Sequence, residues 1–173
     1  MKKDPSLKAS SSQEAYAPRI LAASKALPAY HRSTAEILPY VDEWLKEQPD
    51  RFRRKVLKIF QYAQVEKRYS IMPPEEVFRE TSFEAKNEHY AAAMTDLSEE
   101  ALQESLTKAE LEPQDIDYLI TVSCTGIMIP SVDAFLINRL QMRQDVIRLP
   151  VTEMGCAGGT SALIYARDLL RQQ

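Results

Sequence analysis

The sequence predicts an α/β protein built on a mainly parallel sheet, and three observations point there. A β-branched, largely apolar run, Ile116-Asp117-Tyr118-Leu119-Ile120-Thr121-Val122-Ser123, has the composition of a buried strand. It is followed by helical spacing at Val132, Phe135, Leu136 and Leu140, and then by a second short strand, Val146-Ile147-Arg148-Leu149. Helix and strand signals thus alternate, which is the pattern of parallel pairing with a crossover helix.

The remaining elements follow in chain order. Residues 1–17 are polar and Ser-rich and are expected to form a disordered leader, with the domain proper over 18–173. Ile20-Leu21-Ala22-Ala23 suggests a first strand. Ser33 with Glu36 three residues later is a capping-box pattern. It opens a helix that would bury Ile37, Leu38, Val41, Trp44 and Leu45, with Pro39 blurring its start. A second helix fits 51–63, with Phe52, Val56, Ile59, Phe60 and Ala63 on its apolar side. Residues 84–96 are predicted helical. A separate helix is predicted from Ser98-Glu99-Glu100 to about Glu110, with acidic residues at its positive end and Pro113 as its stop. The final helix, with Ala157, Ala162, Leu163, Ile164, Tyr165 and Ala166, has little polar face in its first turns. Such a helix needs cover on several sides.

Composition narrows the function. The chain is 45% apolar and 27% charged, within the globular range. Its net charge of −3 gives no global attraction to nucleic acid or to anionic membranes. No run approaches the ~18 apolar residues of a spanning helix. The opening Met1-Lys2-Lys3-Asp4-Pro5 leads into polar sequence and not into the apolar core of a secretory signal. Two cysteines make no disulfide framework, and the expected setting is the reducing cytoplasm.

Glycine usage singles out one position. Average composition would give about 12 glycines in this length, yet there are four, all between 126 and 159. Three of them, Gly155, Gly158 and Gly159, surround Cys156. The run Thr152-Glu153-Met154-Gly155-Cys156-Ala157-Gly158-Gly159-Thr160 sets a thiol between a strand and a helix. Unsatisfied N–H groups at a helix start favour thiolate, the nucleophilic form. A buried structural cysteine is the competing reading.

Beyond this turn, Val122-Ser123-Cys124-Thr125-Gly126-Ile127-Met128-Ile129-Pro130-Ser131-Val132-Asp133 carries a Gly-x-x-x-Pro-x-x-Asp pattern. With Leu111-Glu112-Pro113-Gln114-Asp115-Ile116-Asp117, Lys67-Arg68-Tyr69 and Gly-Cys-Ala-Gly-Gly-Thr, it resembles the chalcone/stilbene-synthase-like type III polyketide synthases from about residue 20 onward. The resemblance implies the amino-terminal half of a thiolase-like αβαβα fold, truncated relative to the family. It implies homodimers at full length and an acyltransferase that condenses a starter acyl-CoA with malonyl-CoA. No cofactor is required beyond these substrates. Cys156 matches the nucleophile. The histidine and asparagine that stabilise the family's enolate and oxyanion come from the second half of its fold, so this chain alone is expected to be inactive.

The resemblance also assigns secondary positions. Arg51, Arg54, Lys55 and Lys58 recur at helical spacing opposite the apolar stripe, ordinarily a solvated basic face. Lys55 and Lys58 match family positions that bind coenzyme A phosphates, while a third basic position is Tyr62 here. Cys124 and Thr125 match residues of the acyl pocket, with Cys124 expected to be a small buried wall residue. Ile129 matches a residue that reaches across the dimer, although local burial is equally open. Nucleic-acid binding lacks interleaved aromatics, and a Cys124/Cys156 metal site lacks further ligands. The competing functions are a ketoacyl-synthase-III or thiolase relative, a Cys-His hydrolase using His31 or His89, and a non-catalytic fragment or pseudoenzyme.

Overall fold

The computed structural model describes residues 18–79 and 81–171, so the predicted leader at 1–17 lies outside the described residues. Two units of structure emerge. The first is a two-stranded antiparallel ribbon, β1 (Tyr30–Ser33) with β2 (Lys67–Ser70), joined by helices α1 (Thr34–Trp44) and α2 (Asp50–Tyr62). A short helix α3 (Pro74–Val77) follows. The second is a parallel pair, β3 (Tyr118–Val122) with β4 (Ile147–Val151), in register from Tyr118 opposite Ile147 to Val122 opposite Val151. Helix α4 (Phe83–Ala109) precedes it, α5 (Val132–Arg139) connects its strands, and α6 (Gly158–Leu170) leaves it. The predicted β-α-β order and parallel pairing are both present.

Local chemistry accounts for these boundaries. Ser33 Oγ accepts from the Glu36 N–H at 3.2 Å, and the Ser33 N–H donates to Glu36 Oε2 at 2.7 Å, a reciprocal cap that starts α1 as predicted. Helix α4 runs unbroken for 27 residues, so the two helices expected over 84–110 are one. Nothing between Asp96 and Ser98 breaks a helix, and Ser82, not Ser98, provides the cap by accepting from the Ala85 N–H. The end comes at Glu110, left-handed at φ 57°, where the Leu111 N–H closes back on the Leu106 carbonyl at 3.0 Å. In a chain this poor in glycine, Gln64, Glu110, Gln141 and Glu153 all take positive φ. These positions carry the steric cost that glycine avoids.

Two small cores hold the units. Ile37, Val41 and Leu45 of the first are packed by Val56, Leu57, Phe60 and Phe78. The predicted stripe is therefore corrected: Trp44 is 58% exposed, and Phe52 and Ile59 face outward while Leu57 packs inward. The second core gathers Leu119, Val132, Leu136, Leu140, Met142 and Val146 between β3, α5 and the following strand, with Met94 and Leu102 of α4 closing it.

The expected strand at Ile20–Ala23 is absent. Among the described residues no strand pairs with it, and Ile20 and Leu21 are exposed. The segment is instead tied to α4 through Ser24, whose hydroxyl donates to the Ala101 carbonyl and hydrogen-bonds Ser105 Oγ. Helix α6 carries Leu163, Ile164, Tyr165 and Leu170 exposed, in line with its predicted lack of a polar face. No helix among the described residues is long and apolar enough to cross a membrane.

Candidate active site

The site is built where the parallel strands end. Beyond β4 the chain turns through Gly155 at φ +53° into a single 3-10 turn, Gly155–Ala157, and then enters α6. Cys156 sits on that turn, next to the helix start, with its side chain exposed. Within this chain Cys156 is thus not buried, unlike the cysteine of the competing structural reading. The turn approaches the sheet closely because Gly158 has no side chain: a Cβ there would stand 2.6 Å from Val122 Cγ1 of β3. Any larger residue would push the first turn of α6, and the thiol with it, away from the strand ends.

Beside the turn, the loop from β3 to α5 walls a cleft of about 660 Å³. Cys124, Thr125 and Ile129, the three predicted pocket residues, all line it, with Tyr90, Met128 and Glu153 among the other walls. Cys156 is not a wall of this cleft, whose boundary reaches Glu153, three residues before the thiol. Two expectations change here. Cys124 is exposed, since it lies past the end of β3 on the loop and not within the strand. Ile129 is 93% exposed, so local burial is not its role.

A buried carboxylate anchors the loop. Asp133, in the first turn of α5, has no solvent exposure. It accepts from Arg148 Nε of β4, from Ser131 Oγ, and from Thr121 Oγ1 of β3 at 3.4 Å. Burial pushes this carboxyl up, but the hydrogen bonds from Arg148 and Ser131 and the Arg148 charge outweigh it and hold the group below the usual aspartate value. One side chain thus joins both strands to the start of α5.

The predicted basic face forms a second, shallower groove. Arg51, Arg54, Lys55, Lys58, Ile59 and Tyr62 line about 510 Å³ along α2. Arg53 points the other way and grips Asp42 with two bonds of 2.6 and 2.5 Å. Among the described residues, none of the four groove cations forms an ion pair with a carboxylate. The histidines lie elsewhere: His31 packs at a tilt against Tyr69 in the β1–β2 ribbon, and His89 is exposed on α4. Among the described residues no group of three or more His, Cys, Asp or Glu side chains is arranged to hold a metal ion.

Comparison with known proteins bears on this arrangement. Residues 6–173 match the family described as chalcone and stilbene synthases, N-terminal domain. A 1,3,6,8-tetrahydroxynaphthalene synthase of Streptomyces griseus is 36% identical over 116 residues, covering 67% of this chain and 31% of the relative. A putative chalcone synthase of Bacillus subtilis is 32% identical over 157 residues, covering 86% of this chain and 42% of the relative. The crystal structure of 1,3,6,8-tetrahydroxynaphthalene synthase from Streptomyces coelicolor A3(2), a bacterial type III polyketide synthase, superposes with a TM-score of 0.79 at 29% identity. It covers 86% of this chain and 42% of that one.

The fold and its strand-end cleft therefore define an α/β domain of the thiolase-like type III polyketide synthase class. This chain belongs to the chalcone and stilbene synthase family and corresponds to its amino-terminal portion. It spans less than half the length of the relatives it matches.

The buried carboxylate yields a pH prediction. Because the Asp133 pKa is depressed, its stabilising contribution is complete above the unfolded value of about 4 and is lost as pH falls through the lower native value. Asp133→Asn should cost about 1–3 kcal/mol at pH 7, a range kept modest because Arg148 is partly solvated. Denaturant midpoints of parent and variant should converge as pH falls below about 4. A gap that stays constant to pH 3 would contradict the assignment.

Proposed function

We propose that this chain supplies the nucleophile and much of the acyl-binding wall of a type III polyketide synthase. In this reading the Cys156 thiolate attacks the carbonyl carbon of a starter acyl-CoA. The carbon–sulfur bond to coenzyme A breaks, the coenzyme A thiolate departs with a proton from solvent, and an acyl-cysteine thioester remains. Malonyl-CoA then loses CO₂, and its enolate carbon attacks that thioester and regenerates the Cys156 thiolate. The observation that carries the proposal is the exposed Cys156 on a glycine-lined turn, between a parallel strand and the helix it feeds.

Other residues take supporting roles. Cys124, Thr125 and Ile129 contact the growing acyl chain, and Lys55 and Lys58 hold coenzyme A phosphates, as charge-assisted hydrogen bonds favour. Tyr62, at the end of the same groove, adds a hydroxyl where a third cation would otherwise stand. The histidine and asparagine that stabilise developing negative charge in this family would come from outside this chain. Substrates are acyl-CoA and malonyl-CoA with no further cofactor, the assembly is a homodimer, and the setting is cytoplasmic. Tetrahydroxynaphthalene synthases and a phloroglucinol synthase among the relatives support repeated malonyl-type condensation.

A second reading has its own observation. The 3-ketoacyl-CoA synthase 6 of Arabidopsis thaliana is 33% identical over 72 residues, 42% of this chain. A single condensation would then replace several, and product analysis separates the two: one added two-carbon unit, or a series.

Two outcomes test the main proposal in the protein at its full natural length. Cys156→Ser should abolish product from acyl-CoA and malonyl-CoA, whereas Cys124→Ser should retain it; product at the parental rate from the Cys156 variant refutes the nucleophile. Lys55→Ala with Lys58→Ala should raise KM for coenzyme A thioesters roughly tenfold with kcat little changed, and added salt should shrink the difference. An unchanged KM would remove the phosphate role.

A further inference from the structure

The outer wall of the cleft is held by a helix that contributes nothing to the covalent chemistry. Asn87 of α4 engages both backbone groups of Ile127: its Nδ2 donates to the Ile127 carbonyl at 2.8 Å, and the Ile127 N–H donates to its Oδ1 at 2.8 Å. Residue 127 lies in a loop with no ladder partner, so one side-chain amide replaces the pairing that a strand would provide.

Three residues further along α4, on the same helix face, Tyr90 grips the preceding stretch. Its ring lies so close to Gly126 that a Cβ at 126 would meet Tyr90 Cδ1 at 2.1 Å. Its hydroxyl hydrogen-bonds Ser123 Oγ. Ser123 is in turn fixed to the sheet, since its N–H donates to the Val151 carbonyl at 3.0 Å. Tyr90 also lines the cleft directly. The far end of the loop is held by Ser131 and Asp133. Residues 127–130 are therefore suspended between two anchors, one on α4 and one on the sheet.

We propose that Asn87 and Tyr90 are positioning residues that set the outer wall of the cleft and so decide how large an acyl group it admits. The proposal rests on the acyl-transfer reading given above. Its physical basis is the contrast between local and global stability. Ile127 is 61% exposed, so losing Asn87 would return two backbone groups to water without opening a core. The wall would loosen while the domain stayed folded. A wall held less tightly yields to a larger occupant and gives little advantage to a small one. Selection among chain lengths then falls without loss of the nucleophile.

The test measures acylation of Cys156 by mass spectrometry in the protein at its full natural length, with butanoyl-CoA and dodecanoyl-CoA as probes. Asn87→Ala should raise the ratio of dodecanoyl to butanoyl acylation rates roughly fivefold, the scale of one or two hydrogen bonds, with an unfolding midpoint close to the parent. Asn87→Asp keeps the acceptor for the Ile127 N–H and should change the ratio less. Tyr90→Phe keeps the ring against Gly126 and loses only the Ser123 bond, giving a second measure if the alanine variant is poorly folded. A ratio unchanged in Asn87→Ala and Tyr90→Phe, or equal slowing with both probes, overturns the positioning role while leaving acyl transfer intact. Acylation that persists in Cys156→Ser instead overturns the acyl-transfer reading, and the proposal with it.

Discussion

The carboxylate of Asp133 has no contact with solvent, and the geometry of the cleft follows from how that charge is satisfied. A buried, unpaired carboxylate would cost several kcal/mol, on the order of the whole stability of a small domain. Its partners must therefore be present, and they come from three places: Arg148 on β4, Ser131 at the loop end and Thr121 on β3. Meeting that requirement fixes where α5 starts relative to both strands. The loop from 123 to 131 must then span from the end of β3 to that point, and in doing so it walls the cleft.

The same strand ends determine where the thiol sits. β4 runs parallel to β3, so both strands finish at one edge of the sheet, and ligands of open α/β sheets gather at such edges. Gly158 lets α6 begin almost in contact with Val122. The turn carrying Cys156 is thereby held against the end of β3, from which the loop carrying Cys124 and Thr125 departs. Two of the four glycines, Gly126 and Gly158, stand where backbone meets a neighbouring side chain, of Tyr90 and of Val122, too closely for a Cβ, and Gly155 takes a positive φ. At Gln64, Glu110, Gln141 and Glu153 the chain accepts left-handed conformations without glycine.

Features set by neighbours in sequence were legible, and those set by distant contacts were not. The Ser33–Glu36 cap and the glycine-lined thiol follow from spacing within a few residues, and the parallel strand pair follows from the strand–helix–strand order of local signals. The basic face of α2 was likewise visible in its periodicity, and its cations line one groove. The strand expected at Ile20–Ala23 failed because a strand needs a partner, which composition does not reveal. The helix break expected before Ser98 failed because a serine can cap a helix or ride on one, and here Ser82 does the capping. Cys124 was expected to be a small buried residue at the strand end, but the strand ends two residues earlier, at Val122. Asn87 and Tyr90 gave no signal, since their partners lie 33 to 40 residues away.

The central claim is that the exposed thiol on the turn before α6 accepts the acyl group. Its most direct test is to incubate the protein at its full natural length with a ¹³C-labelled acyl-CoA, quench in acid and map the digested peptides by mass spectrometry. The account predicts a label on the peptide containing Cys156 and none on the peptide containing Cys124. Label confined to Cys124, or found on neither cysteine while product still forms, would contradict it.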